Sequence, residues 1–469
     1  MKLHTKSLLA CMASLVGGVA MARAPAAALV ATPLAEQALR NILVERVETQ
    51  KWATGIVVAS SAPDGRHIVS YGTIAADDKR WVNADTVFEI ASLTKIFTAL
   101  LLADMAHKGE VTPAAAVSTC LPAQVKLPQH DDKQITFIDL ATHTSGLPLR
   151  PTNLASQSAL DKYAGYTVEQ LYQGLAAYSL TRDAGSQFEY SNWGYALLAN
   201  ALAHCARQSY EDVIAARITQ PLGMNDTRLE PSASMRTRLA AGHDEHLQRV
   251  PNEGRGALDG AGGLFSTAND LLKFLEVFVG RSKSTLTEAI PMMLETRRPT
   301  DDPTTRMALG WRVSGKEGKQ VVWSNGRADG YRTFMGYNPQ THVAVVALAN
   351  AATNVGVDDI GRHVLDPRMQ VIRAHRQIVV DPAVLDRYVG DYKFEDGNVL
   401  AITRSGDHLV SQMTDQGPIE LFAESEREFF PRDVEAQIVF ATSHRGPAKS
   451  LILTQDGESW PATRIVPTP

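Results

Sequence analysis

Long apolar runs, cysteines and clustered basic charge are all scarce in this chain, and each scarcity removes a class of function. Past the first 22 residues no stretch is long and apolar enough to serve as a membrane-spanning helix. There is no basic run, no stripe of interleaved aromatic and basic residues and no zinc-finger spacing, and the formal charge is −5, so nothing points to a nucleic-acid partner. Of three cysteines, Cys11, Cys120 and Cys205, none has a His or Cys at metal-ligand spacing, and none is given a catalytic role. His243-Asp244-Glu245-His246 lacks a further ligand at matching spacing and reads as a solvated loop, so no metal is expected. Gly-x-Ser-x-Gly is absent, and with it the nucleophile elbow.

What is present is an ordinary globular composition, 44% hydrophobic and 21% charged, over 469 residues, a length that implies two or three domains. Residues 1–22 read as a secretory signal peptide: Lys2 and Lys6, an apolar core from Leu8 to Val19, and small residues at Ala20-Met21-Ala22 for cleavage after Ala22. Cys11 follows too little apolar sequence for a lipoprotein box and leaves with the leader, as do Lys2 and Lys6, which takes the formal charge from −5 to −7. The expected location is therefore periplasmic or secreted, without stable membrane insertion after cleavage. In that oxidising setting Cys120 and Cys205 are free to pair or to stay as buried thiols.

The mature chain reads as two regions. In residues 23–375, helical spacing over 34–47 precedes two alternating runs, 55–59 and 67–71, joined by Ala62-Pro63-Asp64-Gly65 as a hairpin. Residues 98–310 are mainly helical in pattern. Strands follow at 320–323, 333–337 and 343–348, with Asn338-Pro339 as a turn, and then a helix over 355–365. The economical packing is α+β: one antiparallel sheet from about 34–90 and 311–366, flanked by terminal helices, with the helical middle as an inserted domain. Residues 381–469 change texture to short alternating runs broken by Gly and Asp, a small all-β domain.

The stretch that organises the rest is Phe88-Glu89-Ile90-Ala91-Ser92-Leu93-Thr94-Lys95-Ile96-Phe97. Ser92 and Lys95, three residues apart at a helix start, share a face. A serine hydroxyl needs a proton acceptor, and a lysine serves when burial or neighbouring positive charge lowers its pKa. The helix N-terminus favours the developing alkoxide. Taken alone, Ser92 reads as an N-cap and Lys95 as a solvated lysine, since so short a motif arises readily by chance. Two distant segments change that reading. Tyr190-Ser191-Asn192, in a loop entering a helix over 195–202, offers a phenol that can shuttle a proton and an amide that can hold a substrate; alone, Asn192 would be an N-cap. Trp323-Ser324-Asn325-Gly326-Arg327, at the end of the strand 320–323, offers a backbone edge and a glycine that permits close approach.

Together these motifs resemble the penicillin-recognising serine hydrolases, closest to the branch of class C β-lactamases, D-alanyl-D-alanine carboxypeptidases and esterases. Leu140-Ala141-Thr142-His143-Thr144-Ser145-Gly146-Leu147-Pro148, Pro221-Leu222-Gly223-Met224 and Gly260-Ala261-Gly262-Gly263-Leu264-Phe265-Ser266-Thr267 are similar to landmarks of that branch, and His143 is read as structural. Tyr388-Val389-Gly390-Asp391-Tyr392 resembles the start of its appended lipocalin-like β domain. The resemblance implies Ser92 as acyl-accepting nucleophile, Lys95 as its base, Tyr190 as acid/base, Asn192 as substrate-amide ligand, and the backbone N–H groups of Ser92 and Arg327 as oxyanion hole. It implies no cofactor.

Two positions depart from the pattern. Ser324 stands where the branch has Lys or His, and Arg150 where class C enzymes have a glutamine. A neutral serine binds a substrate carboxylate less strongly than a cation; Arg327 or Arg332 is the candidate to restore the charge. Ser324, Asn325, Gly326, Arg327 and Arg150 thus join Asn192 as expected substrate-binding residues. The leading expectation is an exported acyl-enzyme hydrolase of D-Ala-D-Ala-type peptidoglycan peptides or β-lactams. The alternatives are a small-ester hydrolase or acyltransferase, and a non-catalytic penicillin-binding sensor.

Overall fold

The computed structural model describes residues 33–154, 163, 165–252, 254–353, 355–372, 377–414, 416–431, 436–441, 446–455 and 458–465. The proposed leader, 1–22, lies outside them. The described chain divides into two compact units, one running to Pro367 and the other beginning at Arg368.

In the first unit, Gly55–Ala62 and Gly65–Ala75 form a hairpin whose two-residue turn, Pro63-Asp64, is closed by the Ala62–Gly65 pair. Gly55–Ala62 then pairs with Val343–Ala349, so strands from both ends of the unit meet at the centre of one sheet. Outward from there lie Tyr331–Asn338, Val321–Ala328, Arg312–Ser314, Thr305–Met307 and Arg298–Pro299 on one side, and Gly65–Ala75 and Asp78–Trp81 on the other. Every pairing is antiparallel. The centre is buried on both faces, because Val57, Ala59, Val346 and Leu348 join the main core while Leu39 and Ile42 of the helix Pro33–Val44 share a cavity with Val58 and Val343. This is the α+β architecture expected from the sequence, with the helical segment inserted between its sheet halves.

Two local readings differ. The helix expected over 195–202 starts at Asn192 and is capped by Ser191, whose hydroxyl accepts the Gly194 N–H at 2.8 Å, so Asn192 is not the cap. The strand expected to end at Trp323 continues to Ala328, because Tyr331–Asn338 pairs with its full length. The third motif therefore lies within a strand.

The inserted segment is built around the helix Thr94–His107, which is buried at every position from Thr94 to Met105. A helix apolar all round packs neighbours on every side: Phe97 meets Phe274 at 4.5 Å between ring centroids, and buried Asp104 is neutralised by Lys108 at 2.8 Å and Arg217 at 3.1 Å. His243, expected to be solvated, is buried on a short strand, its Nδ1 2.9 Å from the Asn350 carbonyl. Cys120 and Cys205 form a disulfide with Cα atoms 5.1 Å apart.

The second unit is an eight-stranded closed antiparallel barrel in sequence order, from Gly390–Phe394 to Glu458–Arg464, which pair with each other. Its interior is filled by side chains: Tyr388 stacks on Phe440 at 4.3 Å, and its hydroxyl donates to the Glu426 carbonyl at 2.7 Å. No helix among the described residues is long and apolar enough to cross a membrane.

The disulfide closes a loop with a sequence separation of 85. On chain entropy that constrains the unfolded state by about 4–5 kcal/mol. Replacing both cysteines with serine is expected to lower the urea midpoint of this unit without changing its secondary structure, as read by circular dichroism.

Candidate active site

Ser92 sits in a short turn, Ala91–Leu93, that leads directly into the buried helix, and Ala91 takes a left-handed φ of +49° to make that entry. The Lys95 side chain follows one turn later and is enclosed by the fold. Its ammonium donates to the Ser92 hydroxyl at 3.0 Å and to the Ala261 carbonyl at 2.5 Å. The segment carrying Ala261 is strapped to the same helix: Thr98 donates to the Gly260 carbonyl at 2.8 Å, and Leu264 N–H donates to Thr94 Oγ1 at 3.1 Å. Gly260 packs where a Cβ would lie 2.1 Å from the Ala199 Cβ. Burial pushes the Lys95 ammonium below its ordinary value; Tyr190 opposes this, and Arg255 and Arg312 push it further down.

Tyr190 reaches the same hydroxyl from the other side, 2.9 Å from Ser92 Oγ. The turn after the helix Phe137–Ala141 holds it there. His143 stacks on the Tyr190 ring at 4.2 Å, its carbonyl accepts the Glu189 N–H at 2.7 Å, and its Nδ1 accepts the Ser191 N–H at 3.0 Å. Ser191 in turn donates to the Pro148 carbonyl at 2.8 Å, and Asn192 N–H donates to the Leu149 carbonyl at 3.0 Å. Burial would raise the Tyr190 pKa, but Lys95, the bond to Ser92 and Arg312 outweigh it, and the phenol lies below its ordinary value. Burial, followed by Lys95 and Arg312, holds His143 well below its ordinary value, so it stacks as a neutral ring.

The strand Val321–Ala328 forms the third wall. Gly326 faces the turn before Ser92: a Cβ there would stand 2.6 Å from the Ile90 carbonyl oxygen and 2.3 Å from Thr333 Oγ1. Only glycine lets this strand lie against the turn that carries Ser92. Thr333 clamps the contact by donating to the Ile90 carbonyl at 3.0 Å. Ser324 is buried and Arg327 exposed. Arg332 turns away, donating to the carbonyls of Ala328, Tyr331 and Ala352.

Besides Lys95, at 5.0 Å from the ring centroid, a second cation stands beside Tyr190: Arg312, on the neighbouring strand opposite Trp323. Its guanidinium lies 5.9 Å from the Tyr190 ring centroid and 5.2 Å from that of Trp323, and it donates to Asn325 Oδ1 at 3.3 Å. The Asn325 amide donates to Asp358. Arg312 and His143 are the residues that sequence reasoning missed as neighbours of the reacting groups.

The structure thus joins Ser92, Lys95 and Tyr190 directly and brings Gly326 against their turn. Asn192 follows Tyr190 into the helix with its Oδ1 buried and without a partner among the described residues. Arg150 is exposed, 5.9 Å from the Tyr163 ring. Among the described residues His130, Asp131 and Asp183 have ligand-type atoms within 4.8 Å of one another, but Lys133 already pairs with Asp183 at 2.8 Å.

Residues 39–366 match the Beta-lactamase family. The chain belongs to that family of serine hydrolases. Residues 374–462 match a family described only as a domain of unknown function. Penicillin-binding protein 4* of Bacillus subtilis is 27% identical over 452 residues, covering 90% of this chain and 97% of that one. The D-alanyl-D-alanine-carboxypeptidase/endopeptidase AmpH of Escherichia coli K12 is 28% identical over 330 residues, covering 67% of this chain and 84% of AmpH. A class C beta lactamase from Rhodobacter sphaeroides shares the fold with a TM-score of 0.60 at 23% identity, over 70% of this chain and 97% of that one.

Lys95 and Tyr190 titrate as a coupled pair, both displaced downward from 10.5 and 10.0. A base must be unprotonated to act, so kcat/KM is expected to rise with pH through an inflection below the ordinary lysine value of 10.5. A pH–rate profile checks this, and an inflection at or above 10.5 would contradict the enclosure of Lys95. In Lys95→Arg, whose guanidinium stays protonated, the activity should be lost at every pH.

Proposed function

We propose that the protein is an exported acyl-enzyme hydrolase whose nucleophile is Ser92, acting on D-Ala-D-Ala-type peptide amides or β-lactams. The observation that carries the reading is the convergence of a lysine and a phenol on one serine oxygen, at 3.0 and 2.9 Å, from segments 98 residues apart in the chain. Export rests on the leader-type composition of residues 1–22, and the substrate class on similarity to a carboxypeptidase and a penicillin-binding protein.

In this mechanism Ser92 Oγ attacks the carbonyl carbon while its proton passes to Lys95 Nζ. The oxyanion is met by the Ser92 N–H, at the entry to the buried helix, and by the Arg327 N–H of the strand that Gly326 brings close. Collapse breaks the C–N bond, and Tyr190 Oη protonates the departing nitrogen. Tyr190, now phenolate, takes a proton from the water that attacks the acyl-enzyme, and Lys95 returns a proton to Ser92 Oγ as the acid leaves. Every proton is accounted for by these three groups. The Asn192 Oδ1, buried and without a partner among the described residues, accepts the substrate's amide N–H.

Incubation with a fluorescent penicillin should label the wild-type chain at Ser92 and leave Ser92→Ala unlabelled, with turnover in that variant down by at least ~10³-fold. Label that persists in Ser92→Ala refutes the assignment. A substrate panel of nitrocefin, acyl-D-Ala-D-Ala and p-nitrophenyl esters then fixes the leaving group. Turnover confined to esters would favour the esterase reading, and stoichiometric labelling without turnover of any substrate would favour a penicillin-binding sensor.

A further inference from the structure

Two serines stand side by side on the central strand Gly55–Ala62, and the alternation of the sheet sends them to opposite faces. On the face that packs on the main core, Ser61 donates to Glu276 Oε1 at 3.1 Å. On the other face Ser60 opens into a cavity of about 140 Å³, and its hydroxyl has no hydrogen-bond partner among the described residues. The floor of this cavity is Val58, Val69 and Val343, from three neighbouring strands. Its roof is Leu39 and Ile42 of the helix Pro33–Val44 and Val364 of the helix Asp358–Leu365. A polar hydroxyl thus faces a space that is otherwise walled by aliphatic side chains.

The chemistry of a fitting ligand follows from this lining. An apolar cavity of about 150 Å³ holds one six-membered ring, which sets the size. The titratable groups of the lining are Glu36, His67 and His363. His67 is the cross-strand partner of Ser60, and its Nδ1 lies 2.9 Å from Glu36 while its Nε2 lies 3.1 Å from Asp64. An anionic ligand would therefore meet, beside Ser60, an imidazole already flanked by two carboxylates. It would lose its hydration without gaining a free cation. A neutral hydroxyl loses less, and the Ser60 hydroxyl, which both donates and accepts, can replace the water it leaves.

We propose that this cavity is a binding site for a small neutral amphiphile, a single six-membered ring bearing one hydroxyl, whose apolar body lies between the two helices and the sheet and whose hydroxyl pairs with Ser60. The site is separate from the cleft at Ser92 and does not depend on the acyl-enzyme reading. Its occupant touches both helices and the central strand at once, so binding favours the folded unit by mass action.

The test titrates the full chain with phenol, toluene and benzoate, binding being read by ligand-observed NMR. Phenol should bind with a Kd of about 0.1–1 mM, and benzoate at least ~10-fold more weakly. Ser60→Ala should weaken phenol by about 3- to 10-fold and leave toluene, which has the same shape without the hydroxyl, within about twofold of its parent value. Ala62→Leu fills the cavity from the strand and Ala38→Leu fills it from the helix, and either should abolish binding of both ligands. Thermal melting shows which filled variant is folded, and one is enough; if neither is, the contrast between phenol and toluene in Ser60→Ala decides. No measurable binding of phenol, benzoate binding as tightly as phenol, phenol affinity unmoved by Ser60→Ala, or toluene binding that survives in a folded filled variant would each overturn the proposal.

Discussion

The site depends on keeping one ammonium group out of water. Lys95 lies on a helix buried from Thr94 to Met105, and its desolvation is offset by two short contacts, to the Ala261 carbonyl and the Ser92 hydroxyl. A lysine in bulk solvent would stay protonated and serve only as a point charge; enclosure lowers the pKa of this one, as the proposed role of base requires. The packing that supplies this enclosure also fixes the geometry. Leu264 and Gly260 are bonded to the helix beside the lysine, so the Ala261 carbonyl is held by the same core that excludes water. The surrounding landmarks follow the same logic: the turn at 143–149 anchors the phenol through His143, Pro148 and Leu149, and Gly326 lets a strand close the third side.

The two halves of the sheet and the inserted helices were legible because each rests on local periodicity and turn chemistry, such as Pro63-Asp64 between paired strands. The contact of Ser92 with Lys95 was legible because the two residues lie one helical turn apart. The extent of the strand through the third motif was not. Asn325, Gly326 and Arg327 carry little strand propensity, and pairing with Tyr331–Asn338 overrides that weakness. Ser191 rather than Asn192 caps the following helix for a similar reason: either residue type caps well, and only the contact of Ser191 with the Pro148 carbonyl decides between them.

Arg312 was out of reach for a different reason. Its relation to the phenol depends on the register between strands 312–314 and 321–323, which the glycines of the turn, Gly315 and Gly318, permit without specifying, and on hydrogen bonds through Asn325 to Asp358. Of the two cations considered beside Ser324, Arg332 is bonded to three backbone carbonyls and Arg327 is exposed on its strand. His143 had a sequence signal, its place in a landmark turn, but the consequence of that place is visible only where its ring lies on Tyr190.

The bond between Cys120 and Cys205 encloses a covalent ring that contains His143, Tyr190 and Asn192 but neither Ser92 nor Lys95. The arm that carries Tyr190 is therefore leashed independently of the helix that Ser92 enters. When the unit loosens, the arm's excursions are bounded by that ring, and the hydroxyl and ammonium on one side meet a phenol that has not strayed far.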